Sequence, residues 1–262
     1  MADKLKTYHL MIIDKSGSMD LVKDVTISGL NENLQSIRKA QEDFDDQEQV
    51  TCLVTFSGGG WSSGGGFERS NGTIDHTSCW KKMTGEIEDF TKENYIPDGG
   101  TPLLDAVGSS ISKLREEIKD ELLERKATVV VTIFTDGQEN TSKEYSQQQI
   151  KDLITEVKET GQWTIAFAGC GDNVFEVAES MNIGRGSTMA YTAGSVGTQH
   201  AFRSMAQARY TRSEQYSNTL SEGQDVAEVN QVDNMFQNLD IDTKIKDKPD
   251  PAIDTTKEKE KK

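Results

Sequence analysis

The chain has 262 residues, with 29 Lys plus Arg against 44 Asp plus Glu and a net charge of -15. So acidic a chain repels phosphate backbones and anionic headgroups, which excludes nucleic acid and membrane surfaces as general partners. No run approaches the ~18 apolar residues that span a bilayer, and the opening apolar run is too short for a secretory signal, so a cytoplasmic protein is expected.

Strand and helix signals alternate, predicting βαβ crossovers and a mainly parallel sheet with helices on both faces. Residues 8–13 read as the first strand, and Val22, Val25, Leu30, Leu34 and Ile37 recur after it at helical spacing. Residues 50–56 form the second strand. A glycine-rich loop follows, and residues 67–76 return as an antiparallel edge. Leu104, Val107, Ile111, Leu114 and Ile118 mark an amphipathic helix. Residues 127–135 are a nearly continuous β-branched run, which suits a central strand buried on both faces. Ile150, Leu153, Ile154 and Val157 mark the next helix, residues 163–168 a strand, and Val174, Val177, Ala178 and Met181 a short helix. A strand at 189–192 and a helix at 201–210 complete the pattern. This gives one α/β domain over 1–213, doubly wound and Rossmann-like, with one antiparallel edge strand. Residues 214–262 turn polar and end in a charged, proline-punctuated stretch that buries too little to repay ordering, and read as a flexible tail. Val226, Val229, Val232 and Phe236 leave room for one short helix within it.

Cys52, Cys79 and Cys170 are odd in number and lack paired spacing. They read as reduced small hydrophobes, not as a disulfide framework or zinc site. His9, His76 and His200 are scattered and read as structural or surface residues.

The most specific signal is the run from Asp14 to Met19, Asp-Lys-Ser-Gly-Ser-Met, directly after the first strand. A carboxylate and two hydroxyls on a tight turn begin an oxygen-only site of the kind hard divalent cations prefer. Two later pieces share its character. Gly99 and Gly100 precede Thr101, Pro102, Leu103, Leu104, Asp105 and Ala106, and the 127–135 run ends in Asp136 and Gly137. In this order the three pieces resemble the von Willebrand factor A (VWA) family, whose metal-ion-dependent adhesion site opens with Asp-x-Ser-x-Ser and continues with a loop Thr and a post-strand Asp. The resemblance extends over residues 5–212. Within the family it is strongest to small intracellular bacterial and phage members, including those linked to tellurium resistance, with the less specific segment 168–175 adding to the metal motifs.

The resemblance implies a VWA fold and a site for Mg2+ or Mn2+. Ser16 and Ser18 would ligate directly, Thr101 directly or through water, and Asp14 and Asp136 often through bound water. An open coordination position would accept an acidic residue of a partner protein, making the chain an adaptor or assembly module and not an enzyme. The rival class is a metal-dependent hydrolase or phosphotransferase, against which stand the lack of a nucleophile–base pair, of an Asp-x-Asp pair and of a nucleotide loop. A structural subunit with a vestigial site is a third reading. Asp105, on the first turn of a helix, reads either as favouring the helix dipole or as supporting the site. Lys15 reads as solvent-facing. Trp61, between two glycine triplets, lies either on an incidental linker or on the metal rim as an aromatic partner contact.

Overall fold

Apolar and β-branched runs set the centre of the molecule. In this computed structural model, which describes residues 4–58, 73–83, 86–237 and 239, β1 (Leu5–Asp14), β2 (Gln47–Ser57), β3 (Thr73–Met83), β4 (Ala127–Thr135), β5 (Trp163–Cys170) and β6 (Thr188–Tyr191) form one sheet of order β3-β2-β1-β4-β5-β6. Every pairing is parallel except β2 with β3. All nine residues of β4 are buried, as expected of a strand covered on both faces.

Alternation along the strands sorts side chains to the two faces. Tyr8, Leu10 and Ile12 of β1 join Val129, Val131 and Ile133 of β4 under α2 (Leu103–Glu117), α4 (Gln147–Glu159) and α5 (Val174–Ser180). Met11, Ile13 and Phe134 face the other way, against Leu30, Leu34 and Ile37 of α1 (Lys23–Asp43) and Ala201, Phe202 and Met205 of α6 (Ser195–Ser221). The short α3 (Lys119–Leu123) leads into β4 and has no buried residue. The expected α/β doubly wound architecture is therefore present, with helices on both faces.

Three expectations change. The edge strand runs to Met83, well beyond residue 76, and carries register shifts opposite residues 51–55. Its polar, bulged sequence lacks the alternation that would reveal its extent. The expected residues 67–72 lie outside the described residues. The last long helix extends from Ser195 to Ser221, nearly three times the expected span, because its buried positions include Arg209, Arg212 and Ser213 and so break the apolar period. The boundary placed at residue 213 falls inside this helix, and the fold continues beyond it. Tyr216, Val226 and Met235 are buried with Leu5, Val130 and Ala166. The short helix foreseen near Val226 and Val229 is α7 (Ala227–Asn230), a single turn.

Candidate metal centre

β1 and β4 are neighbours, and their carboxyl ends bring Asp14 and Asp136 to the same rim of the sheet. The Asp14 side chain is fully buried and turns back on its own loop. Its Oδ1 accepts from the Ser16 N–H at 2.7 Å, and its Oδ2 from the Thr135 hydroxyl at 2.6 Å. An Asp that bonds the backbone two residues ahead favours a tight turn, and the chain here tightens at once into a 3-10 turn, Gly17–Val22. That turn presents Ser18, whose hydroxyl donates to Asp136 Oδ1 at 2.6 Å and lies 3.1 Å from Ser16 Oγ.

The loop carrying Thr101 is drawn in by backbone bonds. The Gly17 N–H donates to Gly99 O at 2.9 Å and the Asp98 N–H to Lys15 O at 2.9 Å. A Cβ at residue 17 would stand 3.4 Å from Gly99 O, in ordinary van der Waals contact with that loop. Gly99 has φ +74°, a left-handed conformation that glycine adopts without strain. From the other side, Asn140 Oδ1 accepts the Thr101 N–H at 2.8 Å and the Asn140 N–H donates to Thr101 O at 3.2 Å.

Gly137 packs closely beside Thr101 and Asp14. A Cβ built there would stand 2.8 Å from Thr101 Oγ1 and 3.7 Å from Asp14 Oδ2. Asp14, Ser16, Ser18 and Asp136 are linked by hydrogen bonds or close hydroxyl approach, and Thr101 lies beside them across Gly137. Trp61 lies outside the described residues.

The donors are carboxylates and hydroxyls, a hard oxygen set that fits Mg2+ or Mn2+ better than a thiophilic ion. Among the described residues no three His, Cys, Asp or Glu side chains gather into a cluster, so a cation here depends on the Ser and Thr hydroxyls. Burial raises the Asp14 carboxyl to about 6, against the pull of its bonds from Thr135 and Ser16. Burial raises that of Asp136 too, opposed by the Ser18 hydrogen bond. Two carboxyls made reluctant to ionise are a charge deficit that a cation would offset.

Sequence reading missed four residues. Tyr95, wholly buried, donates from its hydroxyl to Asp14 O at 2.5 Å. Thr135 holds Asp14 Oδ2, and Tyr191 donates to Thr135 O at 3.0 Å. Glu139 accepts the Leu104 N–H at 2.9 Å and so caps α2, which has no side-chain cap of its own. Of these only Thr135 had a sequence signal, its place immediately before the strand-end Asp136.

Asp105 acts on the segment after Asp136 and not on its own helix end. Its buried carboxylate accepts the N–H groups of Lys143, Glu144 and Tyr145 at 2.7–2.9 Å, stitching the segment after Asp136 to α2. Lys15 is half-buried, and its N–H donates to Phe56 O at 2.8 Å. A separate groove of about 450 Å3, lined by Arg115, Glu116, Lys119, Leu123 and Trp163, lies at the opposite end, near the start of β5.

No protein-family model matches the chain, and no curated protein matches it. Solved structures do match. The pilus adhesin SpaC from Lactobacillus rhamnosus GG has a TM-score of 0.55 at 11% identity, over 80% of this chain and 31% of that chain. Proximal thread matrix protein 1 from the mussel byssus, in a structure with a zinc-occupied MIDAS motif, has a TM-score of 0.48 at 13% identity, over 78% of this chain and 46% of that chain. Manganese-loaded TRAP protein from Plasmodium vivax has a TM-score of 0.45 at 16% identity, over 77% of this chain and 74% of that chain. The chain thus spans about half the length of the mussel protein and under a third of the adhesin. At these identities the likeness is one of fold, and the sheet with its flanking helices has the VWA fold.

Proposed function

We propose that this chain is a metal-dependent protein-binding module in which Asp14, Ser16, Ser18, Thr101 and Asp136 hold Mg2+ or Mn2+. The bound cation supplies a Lewis-acidic position for a carboxylate oxygen from an acidic residue of a partner protein. The observation that supports this reading is the gathering of oxygen donors at one rim of the sheet: Asp14 accepts the Ser16 N–H, Ser16 Oγ lies 3.1 Å from Ser18 Oγ, Ser18 donates to Asp136, and Gly137 packs beside both Thr101 and Asp14. The chain's own residues do the positioning. Thr135 and the Ser16 N–H aim the two oxygens of Asp14, Asp136 orients Ser18, and Asn140 fixes the backbone of Thr101. The finer reading, a cytoplasmic bacterial adaptor or assembly factor of the kind linked to tellurium resistance, rests on the sequence motifs alone.

A hydrolase reading has less support. Among the described residues, the hydroxyls of Ser16 and Ser18 bond each other and Asp136, with no histidine beside them. The His76 ring lies 3.2 Å from the Ser110 hydroxyl, but that serine is wholly buried.

Melting the protein with Mn2+, with Mg2+ and with chelator tests the metal. A ligand of the folded state alone, at a hundredfold excess over Kd, stabilises by about 2.7 kcal/mol, or roughly 5–10 °C for a domain of this size. Asp14→Ala and Asp136→Ala should abolish the rise. Thr101→Ala should reduce it. An undiminished rise in the Asp variants would move the cation to another site. The enzyme alternative is tested by the same preparations against generic phosphatase and esterase substrates, where metal-dependent turnover would overturn the binding-module reading.

A further inference from the structure

Five large apolar side chains stand exposed among the described residues, and three of them, Leu21, Ile96 and Val196, lie on segments at the carboxyl ends of the strands. Single exposed apolar residues are ordinary on any protein surface. These are not scattered. Leu21, 90% exposed, is three residues beyond Ser18, on the 3-10 turn Gly17–Val22. Ile96, 60% exposed, sits between Tyr95, whose hydroxyl bonds Asp14 O, and Asp98, whose N–H bonds Lys15 O. Both therefore flank the turn that carries Asp14, Ser16 and Ser18.

Neither residue is exposed through fraying. Leu21 lies between the buried Met19 and Val22, and Ile96 directly follows the wholly buried Tyr95. The backbone under each is anchored while the side chain is turned outward, an arrangement the core does not need. The charge nearby has one dominant sign. Asp20 and Asp24 are exposed on the same stretch, Asp24 being paired with Lys92, and the whole chain carries -15. An approaching run of acidic residues is repelled there, whereas one carboxylate can be compensated by a cation and its neighbours can be apolar.

We infer that Leu21 and Ile96 form the second half of the partner site, and that the partner presents a single carboxylate flanked by a large apolar side chain. The inference rests on the metal-dependent binding reading given above. It is tested by selecting a phage-displayed library of random dodecapeptides on the immobilised full chain in Mn2+ and eluting with EDTA. The eluted peptides should carry one Asp or Glu, with Leu, Ile, Met, Phe or Trp within two positions enriched several-fold over the library. A Leu21→Ser/Ile96→Ser double variant, both sites being exposed and its folding checked by its melt, should return acidic peptides without the apolar enrichment. Acidic peptides lacking that enrichment on the wild type, acidic runs, or unchanged enrichment on the double variant would overturn the inference and leave the metal reading intact. No acidic enrichment in the EDTA eluate would overturn both.

Discussion

Asp14 lowers the stability of the metal-free fold at neutral pH. Its carboxyl is raised to about 6 because it is buried, so above that pH the metal-free fold holds a charge it disfavours. In the unfolded chain an Asp titrates near its usual value of about 3.9. Between these two values the folded state holds a proton the unfolded state has lost, so metal-free stability rises as pH falls through 6. Two consequences follow. Asp14→Asn should melt higher than the metal-free wild type at pH 7.5, by about 1–3 kcal/mol, and should no longer respond to Mn2+. Thr135 can re-aim its hydroxyl to Gly137 O, 3.0 Å away, so the loss of the carboxylate leaves no orphaned donor there. The metal-induced rise of the wild type should shrink from pH 8 to pH 5, as the proton competes with the cation. His9 has the opposite sign. It is wholly buried in β1, and burial, with the charge of Arg209 second, lowers its pKa to about 3. The unfolded chain takes up its proton near pH 6.5, so the stability His9 contributes is complete above that value and is lost as pH falls towards 3. In chemical denaturation with chelator present, the wild type should lose up to about 1.4 kcal/mol per pH unit below 6.5 relative to His9→Gln. Parallel pH profiles for the two proteins would refute the assignment.

At the scale of elements, the centre is held by two carboxylates that bind no cation in the proposed set. Glu139 reaches across to cap the first turn of α2, while Asp105 on that turn reaches back to three N–H groups at 143–145. Each secures the segment that carries the other, and Thr101 lies at the start of α2 between them. Glu139→Ala should therefore cost about 1–3 kcal/mol, the range for unsatisfied buried donors, and should also weaken Mn2+ binding by displacing Thr101. Glu139→Gln keeps an acceptor oxygen and should retain most of both. Calorimetric Mn2+ affinity that stays unchanged in Glu139→Ala would mean that the Thr101 loop is held by Asn140 alone. Element legibility followed burial. The β4 bounds expected from the sequence match the structure because both faces are covered and apolar or β-branched residues, the threonines included, run along its whole length. β3 and the second half of α6 were misjudged because their neighbours accept polar side chains. Arg209 is buried against Asn33 and Thr132, and Asn230 satisfies Tyr216, Thr164 and Thr128 together.

At the scale of the molecule, residues between Arg212 and Met235 cover Leu5, Val130 and Ala166 of the sheet. Arg212 donates to Val229 O and to Asn234 Oδ1, and Tyr216 is wholly buried with its hydroxyl 2.6 Å from Asn230 Oδ1. A chain ended at residue 213 would expose Leu5, Val130 and Ala166 to water and leave Thr128 and Thr164 without their Asn230 partner. It should fail to give a cooperative melt. Tyr216→Ala, which keeps the backbone, should lower stability by about 3–5 kcal/mol, as large aromatic deletions do. A truncated chain that melts like the full one would restore residue 213 as the end of the domain.

The residues of the proposed centre stood out in the sequence because oxygen donors of the type a hard cation prefers follow β1 at Asp14, Ser16 and Ser18 and follow β4 at Asp136, while Thr101 lies in the glycine-led loop just before α2. The layered α/β architecture was legible for a related reason, since hydrophobic period reports which faces are covered. Tertiary structure alone decided what surrounds that set. Tyr95 and Glu139 act through single hydrogen bonds from loops, and a lone Tyr or Glu in a loop has no periodicity that marks its partner. The end of the fold was likewise a tertiary matter. A polar helix counts as surface until its arginines and tyrosine are seen to have buried partners, and those partners lie up to 176 residues away along the chain.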